Sequence, residues 1–132
     1  MEENISNKNN STTIRIKDLR LKTIIGISEW EREEKQEVVI NVALGLDTEK
    51  AIETDHIEDT VNYKKLTKQI IREVEQSNFY LLEKLAHRVL QIVMEDKKVK
   101  KATVEVDKPH ALRFAESVSA SCSAERERRP GS

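Results

Sequence analysis

Val38, Ile40, Val42, Leu44 and Leu46 recur at every second position. Successive side chains of a strand point to opposite faces, so this parity commits one face of a sheet to a core. The rest of the chain has to supply the other side of that core. Upstream, Ile14 and Ile16 alternate with polar residues, but Leu19, Leu21 and Thr23 continue on the other parity. A phase slip near Lys17 and Asp18 is what a β-bulge produces. Gly26 then ends a first strand, which forms a hairpin with the second. Val104 and Val106 alternate up to Pro109, which cannot donate to a ladder. Val118, Ala120 and Cys122 resume the alternation beyond it. Strands are expected over about 99–107 and 117–124.

Two helical patterns lie between the strand pairs. Asn62 is placed to cap a helix running to about Gln76, with Leu66, Ile70 and Val74 at helical spacing. Ser77 and Asn78 break it. A second helix is expected from about 81 to 95, burying Leu82, Leu85, Ala86, Val89, Leu90 and Val93. Residues 27–36 read as a charged loop, 47–60 as a polar connection with a short turn at Ala51 and Ile52, and 97–101 as a basic turn. The order is ββααββ, an α+β class in which two helices cover one face of an antiparallel sheet. Its other face and its edges then need partners, and oligomerisation supplies them economically. Residues 1–12, polar and Asn-rich, read as a mobile arm, 13–124 as a single domain and 125–132 as a charged tail.

Composition excludes several classes of function. With 132 residues the chain has one modest core. A net charge of −1 gives no electrostatic case for nucleic acid or an anionic membrane. No run approaches the ~20 apolar residues of a membrane span, and the N-terminal stretch lacks a signal-peptide core. One cysteine forms no intrachain disulfide, so a cytoplasmic location is the default. His56, His87 and His110 lack metal-ligand spacing, so no metal is expected.

Lys108 stands at the expected strand end beside Pro109, with His110 and Arg113 close behind, three basic side chains on one bend. By itself this stretch fits a solvated basic connection better than a site. The wider pattern changes that reading. D-K-P-H-A-L-R-F-A-E-S-V-S from Asp107, I-R-I-K-D-L-R-L-K-T-I-I-G-I from Ile14, V-N-Y from Val61 and L-L-E-K-L from Leu81 occur in one chain. Together they resemble the dihydroneopterin triphosphate epimerases and the related dihydroneopterin aldolases, over nearly all of the chain from Ile14 to about Ala124.

The resemblance implies a tunnelling fold (T-fold), in which sheets join edge to edge into an oligomeric barrel. Tetramers stack into octamers, with active sites between subunits. It implies a small-molecule substrate, a 7,8-dihydropterin with a trihydroxypropyl side chain, and retro-aldol cleavage of C1′–C2′ in which the ring C=N at N5 takes the electrons. No Schiff base, metal or cofactor is required.

Residue by residue, Glu83 would anchor the pterin, since a carboxylate offers two acceptors to the 2-amino and N3 donors. Lys108 would donate near N5. Glu31, five residues after Gly26, would be the catalytic-loop glutamate, with Glu29 the obvious rival. Tyr63, from the adjacent subunit, would move a proton at the enol intermediate, and Val61, Asn62 and Leu82 would line the pocket. His110 and Arg113, with Arg20 and Lys22 if their strand end is near, would suit a triphosphate tail. The expected activity is therefore 2′-epimerisation of 7,8-dihydroneopterin triphosphate. The alternatives are an aldolase releasing glycolaldehyde and 6-hydroxymethyl-7,8-dihydropterin in folate synthesis and a non-enzymatic ligand-binding module; the spacing of the three histidines argues against a zinc-dependent pterin synthase.

Overall fold

The structure is a computed structural model that describes residues 11–127. Strands β1 (Ser11–Thr23), β2 (Gln36–Asp47), β3 (Val99–Pro109) and β4 (Ser117–Glu125) form one antiparallel sheet in sequence order. Helices α1 (Glu29–Glu33), α2 (Glu49–Thr54), α3 (Tyr63–Glu75) and α4 (Leu82–Met94) and a 3₁₀ turn at Ile57–Asp59 complete the described chain. The ββααββ order holds, with α3 and α4 as its two long helices. None of the helices described is long and apolar enough to cross a membrane.

The parity of β2 organises the core. Val38, Ile40, Val42, Leu44 and Leu46 are all buried, as are Ala102, Val104 and Val106 on β3. α4 lies over β3 and β4, and α3 lies beside it toward β1. Leu66, Ile70 and Val74 of α3 and Leu85, Val89 and Val93 of α4 fill the space above the sheet. Ile92 joins the buried face, whereas Leu82, on the first turn, is only half-buried against it.

The bulge sits where the phase slips. Ile16 pairs with Val42 and Leu19 with Ile40, so three steps along β1 match two along β2. Asp18 takes a left-handed φ of 53° and donates its N–H to Asn41 Oδ1 at 2.9 Å. The slip keeps Ile14, Ile16, Leu19 and Leu21 packed against one core.

Several expectations need correction. The charged loop over 27–36 contains α1, and Gln36 already belongs to β2. The polar connection contains α2 around Ala51 and Ile52, closed by Asp55 at a left-handed φ of 56°. The basic turn, read as 97–101, gives way at Val99, where β3 starts as expected and Val99 pairs with Leu46. Pro109 remains in β3, paired with Ser117. Ser11 and Thr12 belong to β1 rather than to an arm, and the rest of that arm lies outside the described residues.

Arg126 follows β4 and fastens it. Its Nη2 donates to the carbonyls of Met94 (2.8 Å) and Asp96 (3.4 Å), its Nε to Val99 (3.2 Å) and its backbone N–H to Lys100 (2.7 Å). These carbonyls include α4's last turn, where a cation is favoured. Arg126→Ala should therefore lower stability by about 1–2 kcal/mol, read as a reduced thermal midpoint at fixed protein concentration. An unchanged midpoint would show that water serves those carbonyls equally well.

Candidate active site

The local sequence G-I-S-E-W-E, residues 26–31, builds the first half of the site. Gly26 has φ +130°, a conformation L side chains rarely adopt. A Cβ there would fall 2.2–2.5 Å from the carboxyl atoms of Glu31. The glycine thus lets the carboxylate fold back against the main chain. Ser28 is the N-cap of α1 and Glu31 its third residue, the S-x-x-E spacing of a capping box. Glu31 Oε1 accepts the N–H groups of Ile27 and Ser28, each at 3.2 Å, and the Ser28 hydroxyl at 2.8 Å. Its Oε2 accepts from Gln36 Nε2 at 3.3 Å and forms an ion pair with Lys108 Nζ.

Lys108 reaches Glu31 because it shares the parity of Val104 and Val106, which face the helices. It is the penultimate residue of β3 and pairs with Val118, so its backbone is fixed by the sheet. The two charged side chains are only 12% (Lys108) and 14% (Glu31) exposed. The Lys108 ammonium, assisted by Ser28 and Gln36, holds the Glu31 carboxyl down to about 2, overriding the upward push of burial. At neutral pH Glu31 is therefore an anion and can only accept. Glu29, its rival, is exposed.

The remaining expected residues divide by position. Gly26 donates its N–H to Phe79 O at 3.3 Å, so the Glu31 loop rests on the turn that enters α4. Leu82 and Glu83 follow that turn, with Glu83 exposed on the first turn of α4. α3 and α4 run antiparallel, with Arg88 bonded to Glu73 and Gln69 to Glu95. Val61, Asn62 and Tyr63 therefore lie at the far end. There Asn62 accepts the Lys65 N–H at 3.2 Å, Tyr63 is exposed, and Val61 and Asn62 line a surface cavity of about 220 Å³ with Ile92 and Glu95. A 13-residue helix is roughly 20 Å long, so within one chain Tyr63 is about that far from the Glu83 end.

His110 and Arg113 occupy the exposed β3–β4 connection, His110 at φ 61° and the Arg113 guanidinium 5.5 Å from the Phe114 ring. Arg20, paired with Glu37 at 3.2 Å, and Lys22 belong to the same sheet end as Lys108, since Arg20 pairs with Val39 and Val39 with Asp107. The sequence reading missed Ser28, Gln36 and Arg32. The S-x-x-E spacing was a signal for Ser28; the other two carry none.

A four-stranded ββααββ frame holding a partly buried carboxylate–ammonium pair at one sheet end defines the class, a small α+β protein with a charged site at the rim of its sheet. A family model described as dihydroneopterin aldolase (FolB) matches residues 14–123, and the chain belongs to that family. It is 54% identical over 106 residues to a dihydroneopterin triphosphate 2′-epimerase of Pseudomonas aeruginosa, covering 80% of this chain and 86% of that one. It is 50% identical over 113 residues to the Escherichia coli protein of the same name, covering 86% and 94%. The solved structure of E. coli dihydroneopterin aldolase in complex with neopterin superimposes with a TM-score of 0.81 at 24% identity, covering 86% and 98%.

Gly26→Ala should force the Glu31 carboxylate away from Lys108. Its pKa, followed by NMR of the glutamate side chain, should climb from about 2 toward the ordinary 4.5. The strained backbone should also cost about 1–3 kcal/mol of stability. A Glu31 that still titrates near 2 in the variant would show that the glycine is not required for the pair.

Proposed function

We propose that this protein is a cofactor-independent 2′-epimerase of 7,8-dihydroneopterin triphosphate. The observation that carries the reading is the 50–54% identity to proteins of that name over most of the chain, against 24% to the aldolase structure. Residues 13–124 serve as a single pterin-binding domain. Glu83 takes the 2-amino and N3 donors of the ring, and Leu82, Val61 and Asn62 line the pocket.

The chemistry then needs few groups. The side-chain 2′-hydroxyl loses its proton, C1′–C2′ breaks, and the electron pair passes through C6 to N5. Lys108 supplies the proton there. Glu31 holds the lysine in position and keeps a positive charge beside the developing one on nitrogen. Tyr63 exchanges a proton at the enol intermediate. The aldehyde turns within the site and C1′ re-adds to its other face; N5 returns its proton to Lys108 and the 2′-oxygen regains a proton, so C2′ is inverted with no net proton change. His110 and Arg113 hold the triphosphate tail.

Each substrate should be supplied separately and the products resolved by chromatography. The triphosphate should yield the C2′ epimer faster than dihydroneopterin yields 6-hydroxymethyl-7,8-dihydropterin. Predominant release of glycolaldehyde would favour the aldolase reading, and inertness toward both would favour a binding module.

The separation of Tyr63 from Glu83 within one chain, with the outer edges of β1 and β4 bare of a strand in the described sheet, supports a homo-oligomeric barrel whose sites take residues from two subunits. Lys108→Ala and Tyr63→Phe, each inactive alone, should complement on subunit exchange. Random mixing in equal amounts gives about a quarter of sites with both native residues. Proven exchange without recovered activity would place both residues of a site in one chain.

A further inference from the structure

Arg32 belongs to none of the roles above, yet it makes more polar contacts than any other side chain of the Glu31 loop except Glu31 itself. Its Nη1 donates to the carbonyls of Gly26 and Phe79, both at 3.0 Å, and its Nη2 to Asn78 at 2.6 Å. Its guanidinium lies 3.9 Å from the centroid of the Tyr80 ring. One side chain therefore binds the glycine that begins the loop and three consecutive residues of the turn entering α4.

The loop has little else to hold it. α1 has five residues and buries none of them, while Ile27 and Trp30 are 74% and 57% exposed. A helix this short is not stable by itself, and apolar burial does not dock it. Arg32 is the next residue after Glu31, so a shift of its contacts carries the carboxylate away from Lys108. The carbonyls of Asn78 and Phe79 lie close before Leu81, the N-cap of α4, whose first turn bears Glu83.

We propose that Arg32 is a positioning residue that locks the Glu31 loop to the entry of α4, and so fixes the Glu31–Lys108 pair relative to Glu83. The inference rests on the epimerase reading for its kinetic consequence but not for its structural one. Only a planar fork reaches three carbonyls while stacking on a ring. Lysine keeps the charge and loses that geometry.

The test uses the intact protein with Arg32→Ala and Arg32→Lys. Trp30, the chain's single tryptophan, reports on the loop from two residues away. In Arg32→Ala, acrylamide quenching of Trp30 should rise while the thermal midpoint stays close to wild type. Turnover of dihydroneopterin triphosphate should fall about 10- to 100-fold, chiefly in kcat, because misplacement of about 1 Å is enough for such a loss. Guanidinium at low, non-denaturing concentration should restore part of kcat in Arg32→Ala and none in wild type. Arg32→Lys should resemble Arg32→Ala, and it carries the test if the alanine variant does not fold. Wild-type quenching and kcat in both variants would overturn the proposal. If the wild-type protein turns over no dihydropterin, the functional reading fails, and the quenching of Trp30 still decides for or against the clamp.

Discussion

A sheet buried on one face has to keep its phase, and this requirement reaches from β2 to the candidate site. The buried residues of β2 set which parity of β3 faces the helices, because Val42 pairs with Val104 and Ile40 with Val106. Lys108 continues that parity at the sheet end and is thereby drawn out of water. A slip of one residue would turn Lys108 to the open face and bring Asp107 inward. On the other side of β2, the bulge at Lys17 and Asp18 absorbs the phase change of β1, with Asn41 accepting from the displaced Asp18 N–H. The register that buries the valines is thus the same register that presents the lysine.

The charge pair is possible because its desolvation is offset by geometry. An isolated carboxylate in that position would be driven toward protonation. Glu31 instead has acceptor contacts from Ile27, Ser28 and Gln36 as well as from Lys108. Gly26 removes the side chain that would otherwise occupy the space of its oxygens. The anion is held chiefly by the counter-charge of Lys108 on β3, and the Ser28 hydroxyl and N–H of the loop and Gln36 of β2 add to it.

What could be read from the sequence follows from what leaves a period in it. The four strands and α3 and α4 were legible because burial repeats every two residues or every three to four. The bulge was legible as a change of phase between Ile16 and Leu19. α1 and α2 were not, because helices of five and six residues bury too little to show a stripe. The choice of Glu31 over Glu29 came through family resemblance and its offset from Gly26, and the structure brings Glu31, not Glu29, to Lys108. Arg32 and Arg126 were invisible, since an arginine that donates to backbone carbonyls needs no particular neighbour in sequence. By sequence alone Arg126 reads as part of a charged tail for that reason.

The two ends of the described fold leave the sheet at one rim. Ser11 pairs with Asp47 and Glu125 with Lys101, while Lys108 stands at the opposite rim. Lys101 and Lys108 are seven residue steps apart along extended chain, roughly 23 Å. An affinity tag, a surface tether or a fused reporter joined before Ser11 or after Arg126 therefore starts its path on the side remote from the Glu31–Lys108 pair. For immobilisation or biosensor work, an attachment at Ser11 or Arg126 thus leaves the loops at the other rim of the same chain unencumbered.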